Sequence, residues 1–232
     1  MNLYQIYRIS NNSNNKNKLF NGNKFKSLDN FNKEFKPLNT IIIIDNGNEE
    51  LNNYISKTKY KETISSALGN APSFLFAVNY AINTLNEATD YVYFVEDDYL
   101  YLPNSCKILK EGLQRSHYVT LYDHPDKYIN HNEGGPNPFV DQGGENTKVI
   151  LTDSCHWKLT NSTTMTFATS VKTLKEDLSV WTECCNNRTI PDDFATFIKL
   201  RNKGRTLISP LPGYSTHTET AHLSPLIDWD KI

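Results

Sequence analysis

The sequence has no apolar run approaching the roughly 20 residues that a membrane-spanning helix requires, so no membrane span is expected. It has no Cys-x-x-Cys pair among Cys106, Cys155, Cys184 and Cys185, and adjacent Cys184 and Cys185 rarely bridge each other, so free thiols in a reducing compartment are expected. The N-terminal MNLYQIYRIS lacks a basic-then-apolar leader. Together these features predict a cytoplasmic location, in which the sequons at Asn11, Asn161 and Asn187 carry no glycan. There is no strong charge of either sign: the net charge is −2, and the densest basic stretch, residues 16–36, is diluted by Asn and interrupted by Asp29 and Glu34. Proteins that track phosphate backbones usually carry a basic stripe, so no nucleic-acid partner is expected. A Gly-x-x-x-x-Gly-Lys-Ser/Thr loop is missing, which excludes a phosphate-loop NTPase. No Gly-x-Gly-x-x-Gly turn follows any predicted strand, which argues against a dinucleotide-binding dehydrogenase.

What the chain does have is enough to fold. Its 232 residues fit a single domain, and 13 Tyr and 11 Phe provide large apolar surfaces for a core. Residues 3–9 alternate and predict a first strand, and the Asn/Ser/Lys tract after them predicts a loop. A short helix is expected over Ser27–Phe35, closed by Pro37. Residues 40–44 form a continuous β-branched run ending in Asp45-Asn46-Gly47. A strand apolar on both faces implies cover on both, the mark of a parallel sheet between helices. Apolar positions Phe74, Ala77, Val78, Ala81, Ile82 and Leu85 recur at helical spacing over 73–85. Residues 91–95 then predict a buried strand running into Glu96-Asp97-Asp98, with a further helix over 103–113. From about residue 118 the texture becomes mixed. Strands are expected at 118–122, 148–151, 165–168 and 206–208, and helices at 170–178 and 193–203, around a Gly/Pro/Asn-rich stretch reaching Gly144. The expected class is α/β, Rossmann-like, with a mostly parallel central sheet flanked by helices and a mixed C-terminal half. Within the single domain the first half would run to about residue 117 and the second from about 118 to 232.

Both buried strands deliver carboxylates at their C-terminal ends, where ligands bind in open α/β sheets. Three consecutive acids in a partly buried site repel one another unless a cation is present, and hard oxygen ligands suit Mg²⁺ or Mn²⁺. Acids also favour helix N-termini, but that alone explains one acid better than three.

The segment 95–104, Val-Glu-Asp-Asp-Tyr-Leu-Tyr-Leu-Pro-Asn, resembles the metal-binding segment of GT-A glycosyltransferases, especially family 2-like enzymes. Compact members of that group occur in large DNA viruses and phages, in which case the host cytoplasm would be the location. Gly69-Asn70-Ala71-Pro72 and the helix ending Asn79-Tyr80-Ala81-Ile82-Asn83 are similar to the loop and helix before that segment, and the Ile-rich strand resembles the family's second strand. The resemblance implies a nucleotide-sugar donor, a UDP-sugar before a GDP-sugar, held by Asp45, Asn79, Glu96 and Asp97. It implies a metal held by Asp98 and Asp97, completed by a late histidine, His217 ahead of His222. Ile190-Pro191-Asp192-Asp193 opens a helix as the family's catalytic acidic pair does, which implies Asp193 as base beside Asp192. The acceptor would be a glycan or glycoprotein hydroxyl. Asp123 and His124, in the charged and aromatic stretch 122–128, and Trp157 are expected on the acceptor side. The Glu-Asp-Asp order departs from a clean Asp-x-Asp and leaves the division of ligands among the three acids open. The competing readings are a sugar-phosphate nucleotidyltransferase, which would be expected to carry a Gly-rich basic loop that Arg8–Asn12 lacks, and a non-catalytic carbohydrate-binding protein that kept the fold.

Overall fold

The computed structural model describes residues 1–12, 17–20 and 22–232. The first half alternates strands and helices: β1 (Asn2–Ser10), α1 (Lys24–Glu34), β2 (Thr40–Asp45), α2 (Glu49–Ile55), β3 (Glu62–Ser66), α3 (Asn70–Thr84) and β4 (Asp90–Glu96). Then come β5 (Tyr99–Tyr101), α4 (Ser105–Gly112), β6 (Tyr118–Val119), β7 (Val140–Asp141), β8 (Gly144–Glu145), β9 (Val149–Leu151), β10 (His156–Leu159) and β11 (Phe167–Ser170). The chain finishes through α5 (Val171–Glu176), α6 (Leu178–Cys185), α7 (Asp193–Asn202), β12 (Leu207–Leu211) and β13 (Ser215–His217).

Among the described residues the central sheet has nine strands in the order β3-β2-β1-β4-β11-β6-β12-β10-β9. Its β3-β2-β1-β4 part is wholly parallel, β6 and β12 also pair parallel, and the remaining pairs are antiparallel. The α/β class, the parallel first half and the mixed second half are as the sequence predicts. The apolar run of β2 is explained by cover on both faces. Ile41 and Ile43 join Phe74, Phe94, Phe167, Trp181 and Phe197 in one core, under α3, α6 and α7. Ile42 and Ile44 join Tyr7, Phe31, Phe35, Tyr93 and Trp157 in the other, under α1 and α4. The period-2 strand geometry thus feeds two cores from one tetra-isoleucine stretch.

Several boundaries differ from expectation. The strand expected over 118–122 is only two residues long: Thr120 N–H still donates to the Ile208 carbonyl of β12, but the Leu121 carbonyl turns to accept the Tyr214 and Ser215 N–H groups. The helix expected over 170–178 stops at Glu176, and a second helix, α6, follows at once. β3, α2 and the small β5–β13 sheet lie outside the sequence reading: β3 is half exposed at the sheet edge, with little apolar pattern to mark it. All four cysteines are free thiols. Among the described residues no helix is long and apolar enough to cross a membrane. Residues 13–16 of the predicted Asn/Ser/Lys loop lie outside the described residues.

Candidate active site

The parallel register places the ends of β1, β2 and β4 side by side. Arg8 stands opposite Glu96, and Ser10 opposite Asp45. Beyond them opens a cleft of about 250 Å³ lined by Glu96, Asp97, Asp98, Asp45, Lys18 and His217, among others. The acidic cluster is therefore held by the sheet itself, one residue after another as β4 ends and turns into β5.

Each acid has its own surroundings. Glu96 Oε1 lies 3.4 Å from Arg8 Nη2, and Thr166 Oγ1 lies 3.4 Å from its Oε2. Arg8 is itself buried, donates to the Asn70 carbonyl at 3.0 Å, and lies over the Phe74 ring. Burial pushes the Glu96 carboxyl up to about 7, against the pull of Arg8 and with the push of Asp98, Asp193 and Asp97. Asp97 accepts the Ser10 N–H at 3.0 Å, yet burial and the Asp98 charge push it up to about 6. Asp98 Oδ2 lies 3.2 Å from His217 Nε2 and 3.4 Å from Lys18 Nζ. His217 reaches that position because β13 pairs antiparallel with β5, setting His217 opposite Tyr99, and Thr218 N–H donates to the Asp98 carbonyl at 2.8 Å.

These residues also test the fit of a divalent cation. Among the described residues no three His, Cys, Asp or Glu side chains already converge on one point. The donor set is nonetheless chemically suitable: two carboxylates and an imidazole, in a cluster where burial first, and the neighbouring acids after it, disfavour the charged Glu96 and Asp97 carboxyls. The long helix α3 begins at the same cleft, after Gly69 at φ +84°, a left-handed conformation that favours glycine. Ser73, in its first turn, lines the cleft with a buried hydroxyl that has no hydrogen-bond partner among the described residues.

A second cavity of about 320 Å³ adjoins the first and shares Asn70, Glu96 and His217 with it. Its far wall carries Asp193, at the first position of α7, together with His124, Glu219 and His222. Burial raises the Asp193 carboxyl above the usual range, although the Phe194 N–H donates to it at 2.6 Å. Both acidic sites thus open on one continuous cleft, on either side of Glu96.

Five expected site residues stand elsewhere or are already engaged. Asn79 lies further along α3, about 14 Å from its start at 1.5 Å per residue, and its amide donates to the Leu75 carbonyl. Asp192 caps α7 through the Ala195 N–H and pairs with Arg188 at 2.9 Å. It lines neither cavity. Asp123 is buried and tied to Lys158 at 2.8 Å and to the Tyr128 hydroxyl at 2.6 Å, which removes it from any acceptor. Trp157 is fully buried in the core and donates to Thr152, so it offers no face to a sugar. Asp45 does line the cleft, but its oxygens accept from Leu68 N–H at 2.7 Å, Gly69 N–H at 2.9 Å, Ser66 Oγ at 2.9 Å and Asn46 Nδ2 at 2.9 Å. Burial works against its charge, and these four donors outweigh it and hold the carboxyl below its ordinary value. Asp45 therefore shapes the loop that starts α3. His124 alone of the expected acceptor-side residues faces the second cavity.

Arg8, Lys18, Asn70 and Ser73 also line the first cleft, and none of the four stands among the expected site residues. Arg8 left a signal, as the one charged residue in the largely buried strand β1.

No family model matches the chain, and no curated protein matches it. Among solved structures it is similar to the 4-diphosphocytidyl-2C-methyl-D-erythritol synthase of Anaerococcus prevotii, with a TM-score of 0.53 and 9% identity over 99% of this chain and 94% of that one. It is also similar to the 2-C-methyl-D-erythritol 4-phosphate cytidylyltransferase of Francisella tularensis, with a TM-score of 0.48 and 14% identity over 99% and 96%. The mannose-1-phosphate geranyltransferase of Thermus thermophilus gives a TM-score of 0.47 and 10% identity over 90% and 74%. Nothing in these likenesses supports a viral or phage source. At such identities they bear on fold alone, and the fold of this chain is the Rossmann-like arrangement shared by nucleotidyltransferases and GT-A enzymes.

Proposed function

We propose that the protein is a metal-dependent glycosyltransferase that moves a sugar from a nucleotide-sugar donor, UDP-linked before GDP-linked, to a hydroxyl of a glycan or glycoprotein. The observation that carries this reading is the character of the second cavity. It is lined by Glu96, Asp193 and Glu219 and by three imidazoles, with no lysine or arginine among the described residues that line it. A phosphate nucleophile would need cations there. A neutral hydroxyl needs a base, and a buried carboxylate with a raised pKa is suited to that task.

The donor diphosphate would lie in the first cleft, against the start of α3, where the helix dipole and the Ser73 hydroxyl favour an anion. Asp98, Asp97 and His217 would hold Mn²⁺ or Mg²⁺, which when bound supplies Lewis-acid neutralisation of the departing nucleotide. Glu96 stands between the two cavities, with Arg8 fixing its orientation. Asp193 would orient the acceptor hydroxyl and take its proton, opposite the leaving group, which gives inversion at the anomeric carbon.

A sugar-phosphate nucleotidyltransferase is the second reading. The likeness in fold to a 4-diphosphocytidyl-2C-methyl-D-erythritol synthase favours it, and so do Lys18, which lines the cleft, and Lys24, which donates to the Ser10 carbonyl at the end of β1. One experiment separates the two: incubation with Mn²⁺ and a panel of nucleotide sugars, in parallel with nucleoside triphosphates plus sugar phosphates. The transferase reading expects nucleoside diphosphate from the first set. Pyrophosphate from the second set alone would replace it with the nucleotidyltransferase, and no turnover in either would overturn both.

A further inference from the structure

A third cavity, of about 430 Å³, lies along α7 beyond the site described above. Its floor is apolar and belongs to the core: Tyr118, Phe197 and Leu200 are fully buried and Leu207 nearly so, with Leu159 beside them. Its rim carries Lys148 and Arg201, both exposed and neither with an ion-pair partner among the described residues. The other charged lining residues are engaged, Arg205 by Glu176 and Asp177, and Glu145 by Lys158 at 3.6 Å and the Asn161 N–H at 2.9 Å. An apolar floor reaching the core, with two unpaired cations at the mouth, is complementary to an anionic amphiphile.

An exposed aromatic pair links the cavity to the start of α7. Phe139 lines it and is 49% exposed, and its ring stacks on that of Phe194, 6.2 Å away, the residue directly after Asp193. On the other side Ile190, 61% exposed, lines the second cavity. Along the helix axis Asp193 and Leu200 are about 10 Å apart at 1.5 Å per residue. That distance is suited to one molecule with a hydroxyl at one end and an apolar carrier at the other.

We infer that this cavity receives the carrier of the acceptor, an apolar chain bearing a phosphate-class group that Arg201 and Lys148 bind, and that the acceptor hydroxyl projects from it past Phe139 and Phe194 to Asp193. The inference rests on the glycosyltransferase reading for the hydroxyl end, while the carrier end is tested without turnover. Titration calorimetry with n-decyl phosphate below its micelle concentration, with inorganic phosphate and neutral n-decyl glucoside as controls, reads it directly. The expected result is saturable binding of decyl phosphate, weaker binding of both controls, and a loss of about tenfold in Arg201→Glu, the size of one charge-assisted hydrogen bond. Phe139→Ser, at an exposed position, should weaken decyl phosphate binding as well. Absence of saturable binding, equal affinity for decyl glucoside, or wild-type affinity in both variants would overturn the inference. Because the titration needs no donor, a negative result beside normal nucleotide-sugar turnover removes the carrier site alone. Binding without any donor turnover would instead fault the glycosyltransferase reading.

Discussion

Asp98 Oδ2 and His217 Nε2 stand 3.2 Å apart although they come from opposite halves of the chain, brought together by the pairing of β13 with β5. In the proposed site both face the cation and the donor diphosphate. Asp98→Ala should weaken Mn²⁺-dependent nucleotide binding by about tenfold to a hundredfold, the usual scale for disturbing a metal shell, and His217→Ala should do the same. Calorimetry with UDP and GDP, with and without Mn²⁺, checks this. Equal loss in the metal-free titration would mean that the two residues act on the nucleotide without a metal.

Chelation should act in the same direction. Dialysis against EDTA is expected to abolish donor turnover, and added Mn²⁺ or Mg²⁺ to restore it. Full activity after exhaustive chelation would assign charge neutralisation to Lys18 and Arg8 instead, the two cations already beside Asp98 and Glu96.

Asp177 tests what holds the second half of the fold. It is fully buried and receives Arg205 Nε at 2.8 Å, Lys203 Nζ at 2.7 Å and the Tyr118 hydroxyl at 2.8 Å. Burial opposes its charge, but these partners prevail and depress its carboxyl below the ordinary range. A depressed carboxyl contributes stability above its unfolded pKa of about 3.9, and that contribution is lost as pH falls through the folded pKa. Asp177→Ala should cost about 1–3 kcal/mol at neutral pH, since it removes charge-assisted hydrogen bonds to a buried carboxylate while its cationic partners keep contact with solvent. It should also flatten the acid limb of a stability-versus-pH curve measured by urea unfolding. A wild-type acid limb in this variant would show that other carboxylates set it.

Gly112 ends α4 where a side chain has no room. A Cβ there would lie 2.7 Å from the Trp157 ring and 2.8 Å from Val119. Gly112→Ala should therefore lower stability by about 1–3 kcal/mol through overpacking, despite the better helix propensity of alanine. Thermal unfolding reads the sign, and an unchanged or raised midpoint would mean that Trp157 yields freely.

The parts of this molecule that the sequence makes legible are those with strong local signals. The tetra-isoleucine of β2, the helical spacing from Phe74 to Ala81 and the apolar run before Glu96 each state their period plainly, and each forms the predicted element. Acids at strand ends are likewise readable as lying at the cleft. What stays hidden depends on long-range partners. Asp45 and Asp123 look available in sequence, and only the fold shows their oxygens filled by the 66–69 loop and by Lys158 with Tyr128. Trp157 sits on a short strand whose neighbours, β9 and β12, bury it. Lys18 follows an Asn-rich tract with no periodicity, so nothing local announces that it reaches Asp98.

The central claim is that donor and acceptor sides meet across Glu96, with Asp193 serving the acceptor. Single-turnover transfer by Asp193→Asn, measured beside its Mn²⁺-dependent nucleotide affinity, tests it most directly. Transfer should fall by about 10²- to 10⁴-fold, the typical contribution of a general base, while nucleotide affinity stays at the wild-type level. Transfer at the wild-type rate, or loss of nucleotide binding together with transfer, would contradict it.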